Sequence, residues 1–463
     1  MPVKVLVFYD FRRFLMEQSK QDFMKTRPVL PLLLSMAIPM MLSMLIQSLY
    51  NIVDSIFVSR LGTDALTAVS LVYPLQNIIV SVAVGIGVGI SSVISRHLGA
   101  GNQENADKAA TIGMALTVFH SILFVFIGLF VTVPFLKLFT DNAEILNMAA
   151  QYGKIVLCFS FGSLLQISME KIFQATGNMV ATMFLLGTGC IINIILDPIL
   201  IFGYFGFPAL GVSGAAIATV IGQIAAFLLY IVVYKKMNIG VTISKSHLTF
   251  DKSIIRQIYS VGIPSSIMTT LPSVLISILN GLLIGFSDVY VAVLGIYFKL
   301  QTFIYMPANG IIQGLRPIVG YNYGAHETKR MYQSIHLSLL FTAILMVLGT
   351  IAALVFPKPI LSLFDADAAL MESGVTALRI ISLGFLVSTF STVYSGTFEA
   401  LGRGKESLII SLLRQFIITI LMSYILSKFF GVNGIWASFP IAEAIAAVAA
   451  IYLFYRTKQH LYQ

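Results

Sequence analysis

The sequence predicts an all-α integral membrane protein with twelve transmembrane helices, arranged as two parallel six-helix repeats. Of its 463 residues, 57% are hydrophobic and only 11% are charged, whereas soluble proteins average roughly 25% charged residues. The apolar residues also form runs of about 20 separated by short polar stretches, which is the length of a helix that crosses a bilayer. Because backbone polar groups in lipid must be satisfied internally, these runs are predicted to be helices.

The runs divide the chain into spans, lobes and connecting segments. We expect spans near 29–52, 65–92, 109–133, 150–172, 179–203, 213–234, 254–282, 288–315, 332–356, 374–397, 406–428 and 434–455. The predicted parts are an N-terminal tail (1–28), an N-terminal lobe (29–234), a polar and basic linker (235–253), a C-terminal lobe (254–455) and a C-terminal tail (456–463).

The distribution of basic residues predicts the orientation of the chain. Twelve spans place both termini on one side of the membrane, and the segments on that side carry twenty-one Lys and Arg residues, against four on the other. The positive-inside rule therefore predicts that both termini are cytoplasmic. It also accounts for the net charge of +9, so no nucleic-acid partner is expected. Residues 1–27 lack an apolar stretch ending in a small-residue cleavage site, so no signal peptide is expected. Cys158 and Cys190 lie inside apolar runs and are predicted to be free.

The two halves of the chain resemble each other at a constant offset of 225 residues, as in Pro39 and Pro264. One register across five helices indicates duplication. Each half has an even number of spans, so both copies enter the membrane from the same side and are parallel repeats. Further pairs are Gly85 and Gly310, Gly89 and Gly314, Gly99 and Gly324, Pro134 and Pro359, and Phe173 and Phe398; beyond a five-residue indel, Gly211 and Gly431 correspond at an offset of 220.

Asp197 is the strongest candidate for a functional residue. A charged side chain at the centre of a membrane helix costs roughly 2.5–3.5 kcal/mol, so an acid there is a functional hypothesis by default. Asn193 lies four residues earlier on the same helix face, and Pro198 cannot donate to the carbonyl of Ile194. The carboxylate of Asp197, the side-chain amide oxygen of Asn193 and the free carbonyl of Ile194 together suit a proton or Na⁺. The alternative is an acid that only braces neighbouring helices.

Asp54 is the second candidate. Gln47, Tyr50 and Asp54 form one polar stripe on an otherwise apolar helix. Alternatively, Asp54 lies in an outer loop beside Arg60. Comparison of the two repeats shows that both acids occur only in the first half: at the offset of 225 residues, Asp54 corresponds to Leu279 and Asp197 to Met422. This difference favours an ion-coupling role in the N-terminal half.

The second half carries other charged residues within its apolar runs. For these we favour structural pairing over contact with a substrate: Lys299, Arg379, Arg414, Glu399 and Glu443. The Gly85–Gly87–Gly89 run lies inside a span, so close helix packing explains it better than a nucleotide loop. No phosphate-binding loop, zinc pair or nucleophile elbow is present in the sequence, so neither an enzyme nor a cofactor is predicted.

Several of these segments together resemble the MATE (multidrug and toxic compound extrusion) transporters, over roughly residues 28–456. They are Ile38–Pro39, Tyr50–Asn51–Ile52–Val53–Asp54, Leu61–Gly62, Gly99–Ala100–Gly101–Asn102, Asn193–Ile194–Ile195–Leu196–Asp197–Pro198 and Gly320–Tyr321–Asn322–Tyr323–Gly324–Ala325. The branch is similar to the prokaryotic DinF-type group, because residues 265–282 lack the acid that the NorM-type branch has on its seventh helix.

The resemblance implies a V-shaped pair of six-helix lobes that exports organic compounds in exchange for H⁺ or Na⁺. It assigns the cation site, with Na⁺ as one candidate ion, to Asp54, Asn193, Asp197 and Thr219. Tyr50 is expected beside this site.

We also predict that Gln47, Asn51 and Lys299 line a substrate cavity. The expected partners are small organic cations or amphipathic drugs and the lipid of a prokaryotic inner membrane, and a monomer is expected. The alternatives are a flippase for lipid-linked oligosaccharides, which needs a cationic groove, and a non-transporting membrane scaffold or receptor.

Overall fold

The computed structural model describes residues 23–364 and 367–461, and all regular secondary structure in these ranges is helical. Within these residues, ten helices are long and apolar enough to cross a membrane, and two bent helix pairs pass the same test as pairs. Together they account for the twelve predicted spans, and the predicted fold class is confirmed. In chain order, spans 1–12 are Val29–Ser59, Thr63–Gly99, Gln103–Phe130, Ala143–Cys158 with Phe161–Ala175, Met179–Phe202, Val212–Lys236, Lys252–Ile284, Asp288–Gly324, Thr328–Val355, Ala368–Ser382 with Phe385–Ala400, Gly404–Phe430 and Val432–Gln459.

Spans 4 and 10 are bent at equivalent places in the two repeats. The two parts of span 4 meet at 43° and those of span 10 at 51°. At each break the backbone makes a tighter, three-residue hydrogen bond, from the N–H of Ser160 to Leu157 and from that of Gly384 to Ile381. Such a turn interrupts the α-helical ladder and redirects the helix axis.

The chain forms two compact units whose boundaries fall inside spans 1, 7 and 8. Among the described residues, the first unit contains 23–28, 42–266 and 320–327, and the second contains 29–41, 267–319, 328–364 and 367–461. The division into lobes at residues 234 and 254 stays a prediction.

In the first unit, glycines of span 2 allow the start of span 7 to pack closely. A Cβ atom on Gly85 would collide with the side chain of Ser266, and one on Gly89 would collide with the carbonyl of Ile258. The interpretation of this glycine run as a packing surface is therefore confirmed, since only a missing side chain permits such an approach. A Cβ on Gly99 would likewise collide with the carbonyl of Tyr321.

In the second unit, the corresponding glycines of span 8 receive the start of span 1. A Cβ on Gly310 would lie 2.5 Å from the side chain of Met41, and one on Gly314 would lie 2.8 Å from the backbone of Ala37. The core of this unit is built around the buried Trp436, and the rings of Tyr297 and Phe439 meet edge to face, 5.2 Å apart. Duplicated glycines thus serve the same packing role in each unit.

Candidate cation-binding site

Three buried polar residues of spans 5 and 6 meet inside the first unit. Asp197 has no exposed surface, and Asn193 and Thr219 are 2% and 8% exposed. Because Asn193 and Asp197 are one helical turn apart, the Asn193 Nδ2 reaches Asp197 Oδ1 at 3.5 Å. The same Nδ2 donates across to Thr219 Oγ1 at 3.3 Å. The amide therefore links the acid on span 5 to the hydroxyl on span 6.

Span 1 adds Tyr50 and Asp54 to this cluster. Asp54 lies inside the helix, which continues to Ser59, rather than in a loop, and the Arg60 guanidinium lies over the ring of Phe57. The carboxyl groups of Asp54 and Asp197 are within hydrogen-bonding reach of each other. Tyr50 lines the same cavity wall as Asn193 and Thr219. All five residues assigned to the cation site are thus brought together.

The cluster has spare acceptor capacity. Asp54 Oδ1, Asn193 Oδ1 and Asp197 Oδ2 are buried and accept no hydrogen bond from the described residues. In the same part of the chain, neither acid forms an ion pair with a basic side chain. Buried acceptors are usually satisfied, and hard oxygen ligands suit a proton or an alkali cation. The arrangement therefore fits a small monovalent cation.

A cavity of about 120 Å³ adjoins the cluster. A cavity of this volume is large enough to hold water. Spans 1, 2, 4, 5 and 6 contribute its walls. Its lining residues are Gln47, Tyr50, Val80, Ser163, Gln166, Ile167, Glu170, Leu186, Gly189, Cys190, Asn193, Thr219, Gly222, Gln223 and Ala226.

Glu170 is the one acidic side chain among these lining residues, and sequence reasoning did not single it out. Its Oε1 accepts from Lys171 Nζ at 3.1 Å and from Gln174 Nε2 at 2.8 Å. An acid only five residues before the end of a buried helix was the signal available in the sequence. Its pairing with Lys171 neutralises this wall of the cavity.

The three residues assigned to a substrate cavity do not share one environment. Gln47 lines the cavity of the first unit. Asn51 is exposed and is not among the residues that line it. Lys299 is exposed in the second unit, where its Nζ lies 5.9 Å from the centroid of the Phe364 ring. Their assignment to the substrate stays a prediction.

Two of the charged residues of the second half pair as anticipated, and one has an unanticipated partner. Arg414 Nε donates to Glu443 Oε1 at 2.7 Å. Glu399, however, pairs with Arg316 at 2.5 Å rather than with Lys299 or Arg379. Sequence reasoning missed this pair because Arg316 follows the predicted end of span 8 at residue 315 and was not counted among the charged residues of the spans.

Comparison with known proteins now decides the family. The model of the MatE family matches residues 39–199 and 264–425, two segments that begin at the duplicated prolines. The chain belongs to the MatE family. It is accordingly a multi-pass membrane transporter and not an enzyme.

Similarity to curated members of the MatE family extends over nearly the whole chain. Multidrug export protein MepA of Staphylococcus aureus (strain N315) is 27% identical over 451 residues, which cover 96% of this chain and 98% of that protein. MepA of Staphylococcus saprophyticus is 26% identical over 426 residues, covering 92% and 93% of the two chains.

Solved MATE structures share the fold. An outward-facing multidrug resistance MATE family transporter of the MOP superfamily matches with a TM-score of 0.89 at 24% identity, over 96% of this chain and 98% of that chain. A MATE protein crystallised in complex with MaL6 also matches with a TM-score of 0.89 at 24% identity, over 96% and 99% of the two chains. At this identity the likeness shows the fold alone.

Proposed function

We propose that this protein exports cationic and amphipathic organic compounds in exchange for H⁺ or Na⁺. The multidrug export activity in the name of the MepA relatives supports the substrate class. The coupling cation would bind at Asp54, Asn193, Asp197 and Thr219. The DinF-type branch is part of the same proposal, because the acids lie on spans 1 and 5 and span 7 lacks one over residues 265–282.

The observation that carries the proposal is the pair of acids in the first unit. Two carboxyl groups within hydrogen-bonding reach require a proton or a cation between them, since two carboxylates at that distance repel each other. Asp54 Oδ1 and Asp197 Oδ2 also remain without a hydrogen-bond donor among the described residues. A cation that binds here can shift a conformational equilibrium only through its different affinities for the two states.

We also propose that the chain lies in a bacterial plasma membrane with both termini cytoplasmic and acts as a monomer. The excess of Lys and Arg on one side of the twelve spans supports this orientation, and the bacterial relatives support the compartment.

The decisive experiment reconstitutes the protein in vesicles and measures export of a fluorescent organic cation under separately imposed H⁺ and Na⁺ gradients. Asp197→Asn replaces the carboxylate by an amide of the same shape, so we expect export driven by the coupling ion to fall to the background level. Asp107→Asn is the matched control: Asp107 is also a buried acid of the first unit, and its Oδ1 accepts from the Thr242 N–H at 2.7 Å and from Gln103 at 2.9 Å. An asparagine oxygen can accept both bonds, so this variant should export normally.

Normal gradient-driven export by a well-folded Asp197→Asn protein would reject the site. If the wild-type protein moves no organic cation but transfers a lipid-linked oligosaccharide between leaflets, the flippase alternative is correct.

A further inference from the structure

A buried cluster around Arg414 occupies the middle of the second unit. The Arg414 guanidinium donates from Nε to Glu443 Oε1 at 2.7 Å and from Nη1 to Thr392 Oγ1 at 3.1 Å. Its Cζ lies 5.3 Å from the centroid of the Tyr305 ring. The side chains of Arg414 and Glu443 are 13% and 11% exposed. A carboxylate, a hydroxyl and an aromatic face are the groups that bind an organic cation.

Surrounding hydroxyls hold these groups in place. Ser391 Oγ donates to Glu443 Oε2 at 3.3 Å, so both carboxylate oxygens are satisfied. The Tyr305 hydroxyl donates to Ser388 Oγ at 2.7 Å. This network forms a cation-binding site, and the guanidinium of Arg414 occupies it.

The internal repeat relates this cluster to the cavity of the first unit. Five cluster residues have counterparts at the offset of 225 residues, and Glu443 has its counterpart at the offset of 220 that follows the indel. All six counterparts line the cavity. The pairs are Tyr305 with Val80, Ser388 with Ser163, Ser391 with Gln166, Thr392 with Ile167, Arg414 with Gly189, and Glu443 with Gln223. The first half thus has a glycine at the edge of a cavity where the second half has Arg414, and a Cβ on that glycine would lie 2.8 Å from the Cβ of Ala226.

The backbone at Arg414 also differs from that of its counterpart. Residues Leu413–Ile417 form a π-helical turn within span 11, whereas span 5 is α-helical throughout Met179–Phe202. The Thr419 hydroxyl donates to the Arg414 carbonyl at 2.5 Å and so satisfies an acceptor in the widened turn. Such turns insert one residue and are frequent at functional sites.

We propose that Arg414 is a tethered cation that fills the second half's copy of the cavity, and that Glu443, Thr392 and Tyr305 form a latent binding site for guanidinium-type organic cations. Removal of the Arg414 side chain opens this site. With the tethered cation in place, exchange of free cations is confined to the first half. This last consequence rests on the proposed function, whereas the latent site does not.

The latent site is tested by chemical rescue of purified protein in detergent, without transport. Arg414→Ala leaves the Glu443 carboxylate buried without its partner, which lowers the unfolding temperature. Guanidinium at millimolar concentration, far below its denaturing range, should raise that temperature saturably because it binds the folded state. Sodium and urea at the same concentration should have a much smaller effect, since neither offers a charged planar donor. Wild-type protein and Arg414→Ala/Glu443→Gln, which lacks the carboxylate, should not respond.

The proposal is overturned if guanidinium stabilises Arg414→Ala no more than sodium does, or if it stabilises the double variant equally. Should the single variant fail to fold, Arg414→Met/Glu443→Gln provides a second measurement, because neutral replacement of a buried ion pair is often tolerated. This variant should keep the ion dependence of wild-type export. A folded double variant that exports without regard to the ion gradient would place the pair inside the coupling site and contradict the proposal. A loss of export by Asp197→Asn bears on the first unit alone, so the two failures are distinguishable.

Discussion

Removal of one hydroxyl group should weaken cation binding without abolishing transport. In Thr219→Ala, the Asn193 amide loses the acceptor that it reaches at 3.3 Å. A neutral hydrogen bond contributes about 0.5–1.5 kcal/mol. Since about 1.4 kcal/mol is a tenfold change in a binding constant, the affinity for the coupling cation should fall roughly 2- to 12-fold.

The assay is the initial rate of export as a function of the concentration of the coupling ion. Thr219→Ala should raise the half-saturating ion concentration while the maximal rate stays close to that of the wild type, because both acids remain. Thr219→Ser keeps the hydroxyl and is the matched control, with an expected change of less than about threefold, or some 0.7 kcal/mol. In the Asp197→Asn background, Thr219→Ala should have no further effect on ion-driven export.

Equal half-saturating concentrations for the alanine and serine variants would refute this reasoning, since the hydroxyl would then have no part in binding. A folded Thr219→Ala protein with a normal half-saturating concentration but a low maximal rate would also refute it. That result would assign the hydroxyl to the conformational change instead of to the cation.

Two further predictions concern the stability of the scaffold, measured by thermal unfolding in detergent. Gly99→Ala places a methyl group against a backbone carbonyl and should destabilise the protein by about 1–3 kcal/mol. Gly281→Ala is the control: no neighbouring atom lies within 4 Å of its added Cβ, so it should stabilise its helix by up to about 1 kcal/mol. Equal effects of the two substitutions would contradict the packing argument. Arg316→Ala removes the ion pair that Arg316 forms with Glu399, which is 3% exposed, and should cost about 3–5 kcal/mol. Addition of Glu399→Gln should restore most of the stability that Arg316→Ala loses. If it does not, Arg316 stabilises the protein by some means other than its ion pair with Glu399.

Much of the fold was predictable because the bilayer dictates the length and composition of each span. The site was predictable in part. Asn193 and Asp197 lie four residues apart on one helix, so their contact follows from helical geometry alone. That Asp54 meets Asp197 depends on how spans 1 and 5 pack, which periodicity does not determine. The resemblance to a family, and not the local pattern, led to Thr219.

Contacts between long side chains on different spans were not predictable. Glu399 had several basic residues within reach of a flexible side chain, and its pairing with Arg316 depends on the angle between spans 8 and 10. The role of Glu170 in the wall of the cavity was equally hidden, because its partners Lys171 and Gln174 are its neighbours in sequence. A sequence pattern does not distinguish such a pair from one that faces the lipid headgroups.

The π-helical turn also changes how the two halves should be compared. At the constant offset of 225, the counterpart of Asp197 is Met422. The π-helical turn at Leu413–Ile417 inserts one residue, however, so the correspondence after it shifts by one position. The fully buried residue there is Ser423, and its hydroxyl is hydrogen-bonded to that of Ser438 at 2.7 Å. The second half therefore has a hydroxyl group at the position of the acid, and this hydroxyl already has a hydrogen-bond partner. What distinguishes the first half is thus a buried acceptor left free beside open space, and that combination is what a mobile cation requires.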